Sequence, residues 1–302
     1  MLGHRTLHRA RRVRIKKQGF KLDTAFLKDS GDLAALLQVA DVDDLDALVD
    51  YITDNGTGRV ALAKDVRERF VTCKNARNYR AADRGAIASE ITLFGGNSIA
   101  NMLRGGKGVS YTELVGDVGT YLKATYAKGA DAATIEEAIV SKLYQDTLSK
   151  MTPGQRQQFT LHMGPFADEN VSGDSAGFPG NRAYIMSVAV ANAMAATLIG
   201  RGLPLGMNVV ASRGAGLFLG PFGMALSSVW TIAEFASAAY RVTVPCVSQI
   251  AHIRQKAMRR ARECQCSKCT KINSAEAKFC SECGNPMPQK PAPSTTLVAS
   301  AF

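Results

Sequence analysis

Several things are scarce in this 302-residue sequence, and each scarcity excludes something. There are four His: His4 and His8 lie in a basic start, while His162 and His252 are isolated, with no ligand partners at metal spacing. Seven Cys, most of them clustered, are too few for a disulfide-dense secreted scaffold. Strict apolar–polar alternation is hard to find, which argues against a β fold. No apolar run follows the basic start, because Asp23, Lys28, Asp29 and Asp32 come at once. A secretory signal is therefore not expected, although an Arg-rich, acid-free start also fits a mitochondrial transit peptide in a eukaryotic source. A hydrophobic content of 46% excludes a wholly disordered chain, and there is no collagen-like repeat.

Charge of one sign is missing where it matters most. Residues 1–21 carry eight basic residues and no acid, and residues 251–302 carry a net +6, so that residues 22–250 are left at −3 of the total +11. The chain is a mildly acidic body between two basic ends. Charge of either sign is missing from 183–200 and from 214–233, and 183–253 holds only Arg201, Arg213, Glu234 and Arg241. Each uncharged stretch is near the ~20 residues that cross a bilayer as a helix. Seven Gly with Pro204 and Pro221 interrupt residues 200–223, and small residues recur at four-residue spacing, as at Ala189/Ala193. The spacing predicts a glycine-rich apolar helical hairpin, either membrane-associated or buried as a pair of core helices.

The expected organisation is a basic disordered arm (1–21), a helical domain (22–164), a breaker-rich loop (165–182), the apolar segment with its basic end (183–262), a cysteine module (263–286) and a disordered tail (287–302). Helical spacing is clear at Leu33, Leu36 and Leu37, and at Leu45, Leu48, Val49 and Ile52, with Asp41 or Asp43 as a cap. Residues 76–93, 109–126 and 134–150 read the same way. Thr134 and Glu137 are spaced as a capping box, and Thr152-Pro153 opens another helix. Pro245 predicts a helix start or a kink.

The chemistry-bearing motif is Cys266-x2-Cys269 with Cys280-x2-Cys283, ten residues apart. Two such turns can present four thiolates to one tetrahedral Zn²⁺. A module this short cannot fold on apolar burial alone, so metal binding must supply most of its folding free energy. The FCSECGNP stretch resembles small zinc ribbons, and with four protein ligands the site is structural rather than catalytic. Cys264 is a fifth candidate, while Cys73 and Cys246 read as small buried hydrophobes. Thiolate ligands imply a reducing compartment. Such ribbons serve protein contacts, staple an end or bind nucleic acid, and the module offers no clear aromatic platform for the last. Arg11, Arg12 and Arg14 in the arm, and Arg254, Arg259 and Arg260 before the module, are the candidate contacts to an anionic surface.

Other motifs mislead. Gly173-Asp174-Ser175-Ala176-Gly177 matches a nucleophile elbow but sits in turn sequence. Residues 95–108 miss a glycine and the Ser/Thr of a phosphate loop, and the run from Asp41 has Asp46 where a calcium loop needs Gly. No catalyst is identified and no small-molecule substrate is expected.

Two stretches carry a family resemblance. LFGGNSIANMLRG at 93–105 and AYRVTVPCVSQIAHIR at 239–254 resemble the central and C-terminal motifs of the bacterial YaaW-like proteins, over roughly 25–260. That family is grouped distantly with ubiquinol–cytochrome c chaperones, which implies a helical, non-catalytic assembly or stress role. The ribbon and the arm are additions to the pattern. The expectation is a non-enzymatic all-α protein on the cytoplasmic side of a membrane, with Zn²⁺ in its ribbon and a protein or lipid partner. The alternative is a soluble nucleic-acid binder using its basic ends.

Overall fold

The computed structural model describes residues 26–27, 31–59, 62–95, 108–163, 181–200, 218–231 and 239–288. Among them are ten α-helices and one two-stranded sheet. The helices are α1 (Leu33–Leu37), α2 (Val42–Thr53), α3 (Lys64–Asn75), α4 (Ala81–Gly95), α5 (Tyr111–Tyr121), α6 (Ala132–Lys150), α7 (Pro153–Met163), α8 (Asn181–Ile199), α9 (Gly223–Thr231) and α10 (Tyr240–Arg262). The strands β1 (Glu263–Gln265) and β2 (Ile272–Ser274) follow.

Polar caps set several helix starts. The Asp32 carboxylate accepts the Ala35 N–H at 3.0 Å, and the Ser110 hydroxyl accepts that of Glu113 at 3.2 Å. Asp41 is the cap of α2, and its own N–H donates to the Asp44 carboxylate. Thr152 and Gln155 exchange hydrogen bonds as a capping box ahead of Pro153. The expected box at Thr134 is corrected. Helix α6 begins earlier, because the Asp131 carboxylate takes the Thr134 N–H at 2.7 Å, a carboxylate being a good acceptor for this exposed donor.

Helix α10 is the axis of the molecule. Every residue from Val242 to Arg254 is buried, and it packs against α8, α2, α6, α4 and α5. It continues through Pro245, so that residue does not start the helix; it sits in the second turn, where the main-chain bond lost to proline is one of few. One apolar cluster joins Leu27 and α1–α10 without a break. The expected separation of 22–164 from 183–262 therefore does not correspond to two cores.

The first helix of the apolar segment is part of this core. Helix α8 is enclosed by α10, α6, α9 and α2, and Val188, Ala189, Val190, Ala191, Ala193, Met194 and Ala195 are all buried. The second uncharged stretch is not one unbroken helix: a π-helical turn at Phe218–Phe222 is broken at Gly220, ahead of Pro221, and regular helix is described over Gly223–Thr231. The two helices meet, with the Thr197 and Ser227 hydroxyls 3.2 Å apart. Residues 201–217, the glycine-rich connection, lie outside the described residues.

Candidate metal centre

The module grows directly from the end of α10. Glu263 leaves helical conformation and starts β1, and Ala275 N–H donates to the Arg262 carbonyl at 2.7 Å. β1 and β2 pair antiparallel, with Cys264 opposite Asn273. Each cysteine pair sits in a tight turn. Thr270 N–H closes the first onto the Cys266 carbonyl and Gly284 N–H closes the second onto that of Cys280, both at 3.0 Å. Thr270 and Gly284 both have positive φ. At position 284 glycine adopts this without strain; at 270 a threonine is held there by the turn.

These turns bring four sulfurs together. The Sγ atoms of Cys266, Cys269, Cys280 and Cys283 all lie within 4.8 Å of one another, and this group can hold a metal ion. Cys266 and Cys283 are 3.7 Å apart, and Cys269 and Cys280 are 3.4 Å apart. Tetrahedral coordination at about 2.3 Å per bond requires sulfur separations of about 3.8 Å, so the cage is close to the size needed. Donors surround it. The N–H groups of Lys268 and Glu282 reach the Cys266 and Cys280 sulfurs at 3.4 Å, and the Asn273 amide reaches Cys280 at 3.5 Å. Asn273 also accepts the Ser281 N–H, so one side chain ties β2 to the second turn. The N–H groups of Cys283 and then Glu282 pull the Cys280 thiol down to about 6. Those of Cys269 and Lys268 lower Cys266. Both shifts favour the thiolate that a metal binds, whereas Cys269 is raised: the Lys271 N–H pulls it down, but the neighbouring Cys283, Cys280 and Cys266 sulfurs outweigh that. Cys264 lies on β1 outside the four-sulfur group, Cys246 is buried in α10, and Cys73 is half-buried.

The basic stretch before the module is consumed by the body. Arg254 is completely buried, and its guanidinium is bidentate on Glu136 of α6, at 2.7 and 2.9 Å. It also donates to the Leu27 carbonyl, while Tyr111 donates to Glu136 at 2.7 Å. Arg254 thus cannot reach an anionic surface, which corrects the expectation for it. Its place in a basic run had suggested exposure, but a complementary carboxylate on another helix makes burial sustainable. Arg259 pairs with Glu263 and lies 4.7 Å over the Tyr184 ring. Arg260 is bidentate on Asp41, and Lys256 bridges Asp41 and Asp44. Burial acts to raise Asp41, but Arg260 and Lys256 outweigh it and hold the carboxyl at about 2. Asp43 and Asp46 pair with Arg77, and Tyr79 donates to Asp46, so the acidic run over 41–46 is a set of tertiary anchors.

Sequence reasoning missed a buried polar layer between α2, α8 and α10. Ser187, Gln249 and His252 are each no more than 1% exposed. Ser187 Oγ is 3.3 Å from His252 Nδ1, and Gln249 donates to Asp44 at 3.1 Å. His252 Nε2 has no hydrogen-bond partner and stands 4.0 Å from Asp44 Oδ1. Burial pushes His252 down to about 4, against the opposing pull of Asp44. The hint in sequence was an isolated His with Ser248, Gln249 and Lys256 at helical spacing from it. Arg11, Arg12 and Arg14, Ser175 and most of the 93–105 motif lie outside the described residues.

The chain is 33% identical over 178 residues to a UPF0174 protein of Helicobacter pylori strain J99, a match covering 56% of this chain and 70% of that protein. It is 32% identical over 184 residues to another UPF0174 protein of the same strain, covering 56% and 87%. It is 29% identical over 249 residues to the UPF0174 protein YaaW of Escherichia coli K12, covering 78% and 97%. No family model and no solved structure matches the chain.

Proposed function

The chain belongs to the UPF0174 family, and within that family we propose a non-enzymatic helical protein that carries a structural zinc ribbon and acts through protein and membrane contacts. The observation that carries the metal part is the close group of four cysteine sulfurs at the end of α10. Cys266, Cys269, Cys280 and Cys283 would hold Zn²⁺. Bound there, the metal supplies cross-links between two turns and the folding free energy of the module. With all four positions filled by protein, the site holds shape and leaves no place for substrate. Thiolate ligands support a cytoplasmic-side location, where thiols stay reduced.

The partner is a protein or an anionic lipid surface, and the role is an assembly or chaperone-like one. Phe279 and Ile272, two large apolar side chains exposed on the module, support the protein contact, since isolated ribbons gain nothing from exposing them. Helix α8 supports the lipid contact: Arg182–Ile199 is long and apolar enough to cross a membrane. Its burial in the core supports a conditional form of that contact. The nucleic-acid alternative loses much of the support of residues 254–262, where Arg254, Lys256, Arg259 and Arg260 are paired with Glu136, Asp41, Asp44 and Glu263.

Elemental analysis of the purified chain tests the metal reading. About one zinc per chain is expected, falling towards zero in Cys266→Ser and Cys280→Ser but not in Cys264→Ser. A metal content that ignores the first two substitutions defeats it. The membrane reading fails if carbonate-washed membranes of expressing cells retain none of the protein.

A further inference from the structure

Helix α8 is held in the core by α10, and the polar layer between them contains one ionisable group with an unfilled valence, His252. Three elements face that ring. From α8 come Ser187, at 3.3 Å from Nδ1, and the Tyr184 ring, at 5.9 Å between centroids. From α2 come Asp44 and Asp41, and from α10 itself come Gln249, Lys256 and Arg260. The charges around it already balance. Asp41 is matched by Arg260 and Lys256, and Asp44 by Lys256 and the Gln249 amide. Two carboxylates and two cations leave no net negative charge for an imidazolium, which would add an unmatched positive charge at a site 1% exposed. Such a charge is relieved by opening the contact and letting water in. The helix that would be freed is the described one with the length and apolarity to cross a membrane.

We propose that His252 is an acid-sensitive catch: protonated, it releases α8 from α10 and allows α8 to enter an anionic lipid bilayer. The proton comes from solvent and no covalent bond changes. Only the last step rests on the membrane reading above; the release of α8 stands on the His252 geometry. In the closed form burial pushes His252 to about 4. In the opened form it returns to the ordinary range near 6.5. Acidification between those two values therefore favours the open form by up to about 10²-fold, through tenfold per pH step.

The test uses the full zinc-loaded chain, with amide hydrogen exchange resolved to each helix between about pH 7 and about pH 4. Exchange rates are corrected for their intrinsic pH dependence. The expected result is that α8 loses protection on acidification while α5 and α6 keep theirs. His252→Gln and His252→Asn, checked by α10 protection at neutral pH, should both hold α8 closed in acid. Flotation with vesicles of phosphatidylethanolamine and phosphatidylglycerol should capture the parent in acid and not at neutral pH. The catch is overturned if all helices of the parent open together, if α8 does not open, or if the variants open at the same pH as the parent. Flotation that captures the parent equally at both pH values overturns the catch and leaves the membrane reading standing. Acid opening of α8 with no flotation at either pH overturns the membrane reading and the last step of the proposal, leaving the release.

Discussion

Arg254 and Glu136 show how much one residue pair can ask of a fold. Both are at most 1–2% exposed, and the pair also receives the Tyr111 hydroxyl and gives a hydrogen bond to the Leu27 carbonyl. Desolvating the two charges offsets most of their attraction, so the intact pair contributes little net stability. Breaking it is another matter. Glu136→Gln leaves a buried guanidinium unmatched and should cost about 3–5 kcal/mol in urea unfolding. Arg254→Met combined with Glu136→Leu should recover most of that loss, short of about 1–2 kcal/mol for the stranded Tyr111 hydroxyl. A double variant no better than the single would mean that the pair contributes through packing instead of charge. The sequence placed Arg254 in a basic run and so implied exposure. Burial was unreadable because its partner lies on α6, more than a hundred positions earlier.

At the scale of elements, the junction of α2 with α10 joins a capping position to a tertiary ion network. Asp41 caps α2 and at the same time holds Arg260 and Lys256. Asp41→Asn keeps a good cap and removes only the charge, so a loss of about 1 kcal/mol is expected, discounted because Arg260 is half exposed. Asp41→Ala loses the cap as well, for about 2 kcal/mol in all. The pH dependence has a definite sign. The folded-state value of about 2 lies below the ordinary 3.8, so the contribution is complete above about pH 4 and is lost as pH falls towards 2. The stability gap between parent and Asp41→Asn should close over that window. A gap that stays constant would show that the pairs do not act as ionised groups. Periodicity revealed α2 and its leucines because core contacts repeat every turn. The early start of α6 and the break just before α9 were hidden, since a cap at Asp131 and a break at Gly220–Pro221 are decided by local competition for single hydrogen bonds.

Across the described residues of the whole molecule there are two apolar clusters of unequal size. One joins the helices; the other is the small group of Cys266, Cys280 and Met287 with the neighbouring cysteines. Stability should divide accordingly. A strong chelator is expected to abolish amide protection over 263–288 while α10 and the body keep their helical circular dichroism, with the melting temperature of the body moving by less than roughly 2 °C. A collapse of body and module together would show that the module is part of the larger core. The continuity of α10 into β1 means that whatever the module binds is tied to the centre of the body, and α10 in turn contacts α8 and α2.

The sequence by itself determined the helical class, the leucine faces of α1 and α2, and the four cysteines of the candidate site. Those signals are local: a helix face recurs within a turn, and each cysteine pair is set by one tight turn. Only the tertiary structure decided where the charge goes and what the apolar segment packs against. The basic end before the module looked free, yet Glu136, Asp41 and Asp44 had been waiting for it from far earlier in the chain. The uncharged stretch at 183–200 has the same composition in a bilayer and in a core. Its burial against α10 follows from long-range packing, which composition does not encode.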